Sequence, residues 1–561
     1  MFITSFIATC FLLTACGNNQ SSNDIKPETK SDAADIIFKN GDIYTVNPAH
    51  PWASAIAIND GIITYVGELE DATKLADDNT RFIDLAGRMM LPGLHDVHIH
   101  PLESASEATH FVVDGENTIR HYQNALLDAS AQYPNTPWLI GYGHNIDTLL
   151  AMQTSPIEVL DQVVSDRPVI IMEQTSHSMW VNSKALALAN ISSQTVDPIG
   201  GVIGRDDNQT LNGILYDNAG NIVMDLAMQH MGTESQQNYD GFVDYTQPKL
   251  LRHGITSISD ARVYWQRGQL DTWQQLAKDD VLKLRVSLGL WAYPQASDEY
   301  QISQLISLYQ NKAESLLKVN QIKFYMDGIL VNTTAAMKQP YEFGWLDLEN
   351  NRGLNYFTQS RLTKYIKALE PIGFDFNIHA IGDRGVHEAL SAIESSTQGN
   401  ARHRLTHIEV VDPKDYHRFK ALNVIADAQV AGDFTNPDHW PEMIPLLGHH
   451  RADHLVPIKS LVDQGAKLTL SSDWNVSTLN PFIGIANAIS RQPEAITLEQ
   501  AIASYTINSS YAMRQENIVG SIEVGKEADF IILENNLFDL TPHQIKQVQV
   551  NQTWVKGQRV F

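Results

Sequence analysis

The sequence predicts an α/β fold: a (β/α)8 TIM-like barrel carrying a small composite β-sandwich built from both chain ends and a cap insertion. Three observations predict it. Eight short β-rich runs alternate with amphipathic helical stretches through the middle of the chain. Residues able to bind a metal stand at the ends of several of those runs. Segments rich in β-formers and broken by Asn-Gly and Asp-Gly recur at both ends of the chain.

The bulk composition narrows the function classes before any motif is considered. A hydrophobic content of 43% and a charged content of 19% over 561 residues describe an ordinary globular chain with room for a large domain. A formal net charge of -25 excludes nucleic acid and anionic headgroups as natural partners, because phosphate binding needs clustered Lys and Arg. Both cysteines, Cys10 and Cys16, fall in the first 16 residues. The body therefore has no disulfide framework, no Cys-based zinc site and no thiol nucleophile.

The first element, "MFITSFIATCFLLTAC", is apolar but too short to span a bilayer as a helix. Residues 1–16 resemble a bacterial lipoprotein signal peptide, with "LTAC" as a lipobox and Cys16 as the residue to be lipidated. No Lys or Arg precedes the apolar stretch, a departure from secretory signals; the alternative is a buried N-terminal helix. Residues 17–33 are polar and read as a flexible linker. The expectation is an exported protein, lipid-anchored to a bacterial membrane and touching it only through the anchor. Gly17, standing where a retention aspartate would be, favours the outer membrane facing the periplasm by the same resemblance.

Residues 34–90 and 515–561 hold the runs "ADIIFKNGDIYTV", "AIAINDGIITYVG", "RFIDLAGRMMLPG", "GSIEVGKEADFIILENN" and "VQVNQTWVKGQRVF". Their Asn-Gly and Asp-Gly pairs are hairpin signals. Residues 91–514 form the expected barrel, with strands in the run ending at His100 and in "GITSISDA", "LRVSLGLWA", "QIKFYMDG", "GFDFNIHA", "HRLTHIEV", "NVIADAQV" and "AKLTLSSDW". An open doubly wound sheet is the alternative, though no G-x-G-x-x-G or Walker loop is present to support nucleotide binding. The stretch from about 109 to 251 is too long for one βα connection and contains strand candidates "WLIGYG" and "PVIIME". It reads as an insertion capping the barrel mouth.

In "MMLPGLHDVHIHPLES", His98 and His100 are spaced i, i+2, so on a strand both leave from one face. A lone H-x-H occurs by chance in a chain with 20 histidines. Here it has company. Lys323, His379, His407 and Asp473 stand at the ends of other strands, where barrel geometry converges side chains at one mouth.

The stretches "LPGLHDVHIH", "HSMWVNSKAL", "GITSISDA", "IKFYMDG", "IHAIGDRGVHEAL", "RLTHIEVVD", "LSSDWNV" and "GSIEVGKEADFIIL" resemble the amidohydrolase superfamily. Within it they are similar to the YtcJ-like metal-dependent hydrolases, amidohydrolase family 3, which include N-substituted formamide deformylases. The resemblance runs from about residue 34 to 561. "LTHIEVV" departs from the family's Glu-His-Ala-Gln, and "SSDWNV" varies Gly-Ser-Asp-x-Pro-Val, each keeping its ligand-type residue.

The resemblance implies a binuclear centre of divalent metal, two Zn2+ with Mn, Fe or Co as substitutes. His98, His100 and Asp473 would hold the more buried ion, His379 and His407 the second, and Lys323, carboxylated on its amine, would bridge them. A lysine paired with Asp327 or another acid is the plain alternative. Such a centre activates water near neutral pH, and Asp473 is then the catalytic residue, taking the proton and passing it to the leaving nitrogen. The expected activity is hydrolysis of a non-peptide amide or formamide bond in a small molecule. An esterase, lactonase or deaminase on the same site, or a non-catalytic ligand-binding surface lipoprotein, are the alternatives.

Several residues have secondary roles in this reading. His177 in the cap is expected to touch substrate, as the corresponding family motif is placed. Trp180, Trp474 and Phe482 are candidates for an apolar pocket wall. Asp96 shares the inner face with the histidine pair and suits a residue that orients a ligand histidine, while His95 points to the opposite face. Asp383, at the start of "DRGVHEAL", reads as a helix cap. His449, His450 and Arg451 are assigned to a surface loop beside the mouth, with no metal.

Overall fold

The computed structural model describes residues 33–561 except 108–109, 114–117, 233, 347 and 433–434. The expected signal peptide, Cys16 and the linker up to residue 32 lie outside the described residues. Among the described residues no helix is long and apolar enough to cross a membrane.

All eight runs read as barrel strands form strands: β1 (Leu94–Ile99), β2 (Ile255–Val263), β3 (Arg285–Trp291), β4 (Leu317–Tyr325), β5 (Asp375–Ala380), β6 (Arg404–His407), β7 (Ile425–Ala428) and β8 (Lys467–Leu470). They pair in parallel and in sequence order. A doubly wound sheet would reverse its strand order at a switch point, and this one does not. The ends meet through the segment after β8. Asp473 N donates to His98 O and His100 N to Trp474 O, both at 2.8 Å. The barrel is thus nearly closed. Apart from Lys467, every strand residue is buried, as expected when helices cover the outside and side chains fill the inside.

The connection from β1 to β2 holds the insertion. Its six-stranded mixed sheet runs in the spatial order 201–205, 211–217, 178–181, 169–173, 139–144, 111–112. Helices Ile119–Gln132 and Asn218–Met231 cover its two faces, so Ile171 and Trp180 pack in one layer with Tyr122, and Ile170 and Met179 in the other with Val223. This alternation follows from the two-residue period of a strand.

Strands from both chain ends join in one eight-stranded sheet, with Met89–Pro92 paired antiparallel to Phe530–Leu533. The sequence reading expects a sandwich; hydrogen bonds link all eight strands as a single sheet. Asp60-Gly61 does make a two-residue hairpin, with φ of 53° and 75°. Asn40-Gly41 does not. It lies inside one strand, Ile36–Tyr44, as a register shift between Lys39 and Ile43, because only Asn40 of the pair has positive φ. The shift lets this strand pair with Arg81–Asp84 along its first half and with Met89–Met90 along its second. Arg285 of β3 ties the sheet to the barrel by ion pairs to Glu527 and Asp529.

Candidate metal centre and substrate cavity

Alternation along β1 sends His98 and His100 into the barrel mouth and His95 out of the barrel wall, where its Nδ1 lies 3.1 Å from Thr506 O. Asp473 follows β8 with φ 53° and returns its carboxylate to the same point. One ligand atom from each of His98, His100 and Asp473 lies within 4.8 Å of the others. His100 Nε2 stands 2.9 Å and His98 Nε2 3.3 Å from Asp473 Oδ1, yet this buried oxygen makes no aligned hydrogen bond. Two imidazole nitrogens and a carboxylate oxygen crowd one point. That donor set suits a divalent cation, and its chemistry matches that of zinc sites.

The surroundings fix which nitrogen faces that point. His98 Nδ1 is 2.8 Å from Thr406 Oγ, whose hydroxyl donates to Asp427 at 2.7 Å. The proton therefore sits on Nδ1 and Nε2 is left as a ligand. Gln429, Thr469 and Ser471 hydrogen-bond into the same buried cluster. His379 Nε2 donates to Gly328 O at 3.1 Å, and its buried Nδ1 has no hydrogen-bond partner among the described residues. The His379 and His407 rings are 4.5 Å apart and His407 is 4.9 Å from His98. His407 and Ile408 both have positive φ, 75° and 44°, an unusual backbone for a β-branched residue that turns the chain sharply at the strand end.

Lys323 Nζ is 3.1 Å from His98 Nε2, so all six residues meet at one rim. Burial drives its amine well below the usual lysine range, with Asp473 opposing. Burial likewise holds His98 and His379 well below the ordinary imidazole range, and His407 down to about 3. Burial alone would raise Asp473, but the His98 and His100 imidazoles keep it well below the carboxylate range.

The pairing of Lys323 with Asp327 does not occur. Asp327 instead accepts backbone N–H bonds from Ala336, Ile381 and Gly382, at 2.8–3.0 Å. A Cβ at Gly385 would meet its Oδ2 at 2.7 Å, so the glycine of "GDRG" makes room for this carboxylate. Asp383 is accordingly not the cap. Gly382 is, Asp383 is the first helical residue, and its Oδ1 accepts from Lys338 N. Asp96 works through the backbone rather than on an imidazole: its Oδ1 accepts from His98 N and Ser472 N, both at 3.2 Å.

Above the centre is a cavity of about 180 Å³ between barrel and cap. Ile329, Leu330, Val331, Leu455 and Val456 supply apolar wall, and His379, His407 and Asp473 face it from the barrel. The cap contributes Glu173 and His177 from the tight turn between two of its strands. His177 stacks on Tyr325, with ring centroids 5.7 Å apart. Ser178 Oγ donates to Glu173 at 2.8 Å, and burial raises that carboxyl. Glu409, also on the wall, is pushed up to about 8 by burial.

The aromatic candidates fall elsewhere. Trp180 is fully buried in the cap core, its indole N–H donating to Pro156 O. Phe482 is buried in the barrel core, and Trp474 packs by Tyr245 and Lys249. None of the three lines the cavity. An apolar ring at these positions buries more area in a core than on a wetted wall. His449, His450 and Arg451 form a short helix, with Arg451 bonded to the carbonyls of Leu447, Gln339 and Pro340. Thr406 and Glu409 stand within "LTHIEVV" and Glu173 is the polar end of a cap strand, signals the sequence reading passed over. Asp217 and Tyr325 carried none.

A closing barrel with imidazoles and a carboxylate converging at its C-terminal rim defines a metal-dependent hydrolase. The family model described as amidohydrolase family matches residues 81–561, and the chain belongs to that family. It is 28% identical over 546 residues to the "Putative amidohydrolase YtcJ" of Bacillus subtilis (strain 168), covering 94% of this chain and 99% of that one. It is 24% identical over 554 residues to the N-substituted formamide deformylase of Arthrobacter pascens, covering 93% and 97%. Among solved structures, an uncharacterized metal-dependent hydrolase from Pyrococcus horikoshii OT3 matches with a TM-score of 0.72 at 22% identity, over 91% of this chain and 99% of the other.

Proposed function

We propose that this protein hydrolyses a carbon–nitrogen bond, a non-peptide amide or formamide, in a small molecule. The observation that carries the reading is the crowding of His98, His100 and Asp473 ligand atoms, unaligned for hydrogen bonding, beneath a cavity of small-molecule size. Its kinship to a named formamide deformylase supports the bond type.

His98, His100 and Asp473 would hold one divalent ion, and His379 and His407 a second, with zinc suited to the nitrogen-rich set. Lys323, buried beside His98 with no carboxylate at ion-pairing distance among the described residues, would bridge them as its carbamate. When bound, such ions supply an acidified water and polarise a carbonyl. Asp473 takes the proton of the attacking water and delivers it to the departing nitrogen, so an acid and an amine leave. Ile329, Leu330 and Val456 keep bulk water from the reacting carbonyl.

The test joins metal analysis to a substrate panel. The purified body should carry one to two equivalents of divalent metal and hydrolyse formamides or N-acyl amines ahead of lactones and esters. Asp473→Asn should lower kcat by about 10²–10⁴-fold, the usual weight of a proton-transfer group. A metal-free body, or unchanged hydrolysis by the variant, would refute the reading.

A further inference from the structure

His177 is held unusually firmly for a residue at a turn. Its Nδ1 is 2.7 Å from Asp217 Oδ1, and Asp217 N donates back to His177 O, also at 2.7 Å. Tyr356 OH donates to the same Oδ1 at 3.0 Å, and Tyr356 N to Met326 O at the end of β4. One carboxylate therefore links the cap, which carries His177 and Asp217, to the barrel, which carries Tyr356. Asp217 takes φ 53° to reach this position, and a Cβ at Gly200 would lie 2.7 Å from the Tyr356 ring. The His177 ring is also set in plane, 18° from Tyr325, which itself stacks on His379 at 4.1 Å.

The bond to Asp217 places the proton on Nδ1, because a carboxylate only accepts. In the neutral ring Nε2 then carries a lone pair; it has no hydrogen-bond partner among the described residues, and the ring lines the cavity. We propose that Asp217 is a positioning residue that locks His177 into the tautomer whose Nε2 accepts the N–H of a secondary amide substrate. This rests on the amide-hydrolase reading and narrows it. The preferred substrate bears an N–H on the scissile nitrogen; tertiary amides and esters lack the donor and leave Nε2 unmatched. Sites built around a substrate N–H reject analogues without it far more strongly than sites that measure size.

Asp217→Leu tests the idea, since it removes the acceptor that holds the ring proton on Nδ1 and leaves the tautomer unfixed. The probes are the acetyl derivatives of 2-phenylethylamine, of its N-methyl analogue and of 2-phenylethanol. Metal-loaded wild type should favour the N–H amide over the N-methyl amide. In Asp217→Leu the amide-to-ester ratio of kcat/KM should fall by about tenfold or more, whereas Tyr356→Phe, which removes only the other bond to the same oxygen, should leave the ratio unchanged. Equal losses on amide and ester in Asp217→Leu, or an unchanged ratio there, would overturn the proposal. Nitrogen-15 NMR of the His177 ring, assigned by its loss in His177→Gln, supplies a readout independent of turnover. A proton on Nδ1 in wild type is expected, and a proton on Nε2 would overturn the proposal even if no probe were hydrolysed. Failure of all three probes with the expected tautomer would count against the hydrolase reading alone.

Discussion

At the scale of single residues, the candidate centre shows how a ligand set depends on partners that bind nothing themselves. His98 presents Nε2 because Thr406 and Asp427 occupy its other nitrogen. Thr406→Val keeps the shape and removes the hydroxyl, so the ring loses the partner that sets its tautomer. Metal affinity should fall by about 10–100-fold, measured by chelator competition. The ligands were legible because histidines at the ends of apolar runs are conspicuous. Thr406 was not, although it is adjacent to His407, because a threonine in a strand is unremarkable until its hydroxyl is seen between an imidazole and a carboxylate. Trp180 shows the reverse error: an aromatic next to a site motif belonged to the cap core.

At the scale of elements, β1 performs two tasks with one alternating pattern. Its inner face carries the ligands, and its outer face buries His95 against the helix that begins near Thr506. Burial holds His95 down to about 3, whereas in the unfolded chain it titrates near 6.5. Between those values the unfolded chain binds a proton that the folded one refuses, so stability is lost as pH falls from about 6.5 towards 3. His95→Gln removes that dependence, and its melting temperature should decline less steeply than that of wild type between pH 7 and 4.5. A parallel shift of the two profiles would contradict this. Asp327 shows another element-level effect, joining the loop after β4 to the end of β5 through three backbone N–H bonds. No sequence spacing announces such a link.

At the scale of the whole molecule, buried ion pairs join the terminal sheet to the barrel. Arg285 leaves β3 to engage Glu527 and Asp529, which lie over 240 residues away in sequence. Arg285→Met would strand Asp529, a carboxylate 3% exposed, without its cation. A loss of about 3–5 kcal/mol of stability is expected from urea unfolding. An effect under about 1 kcal/mol would mean that packing alone holds sheet to barrel.

The sequence by itself determined the eight strands, the metal-ligand candidates at their ends and the joining of both chain ends. These follow from local rules: a two-residue period, turn chemistry and the alternation of short apolar runs with helices. Only the tertiary structure decided that Asn40-Gly41 bends one strand instead of closing a hairpin, that Lys323 is free of Asp327, and that Asp217 reaches His177 across 40 residues. Such outcomes turn on which groups meet after the chain closes on itself. A carboxylate bonds whichever donor the fold brings within 3 Å, and distance along the chain does not set that encounter.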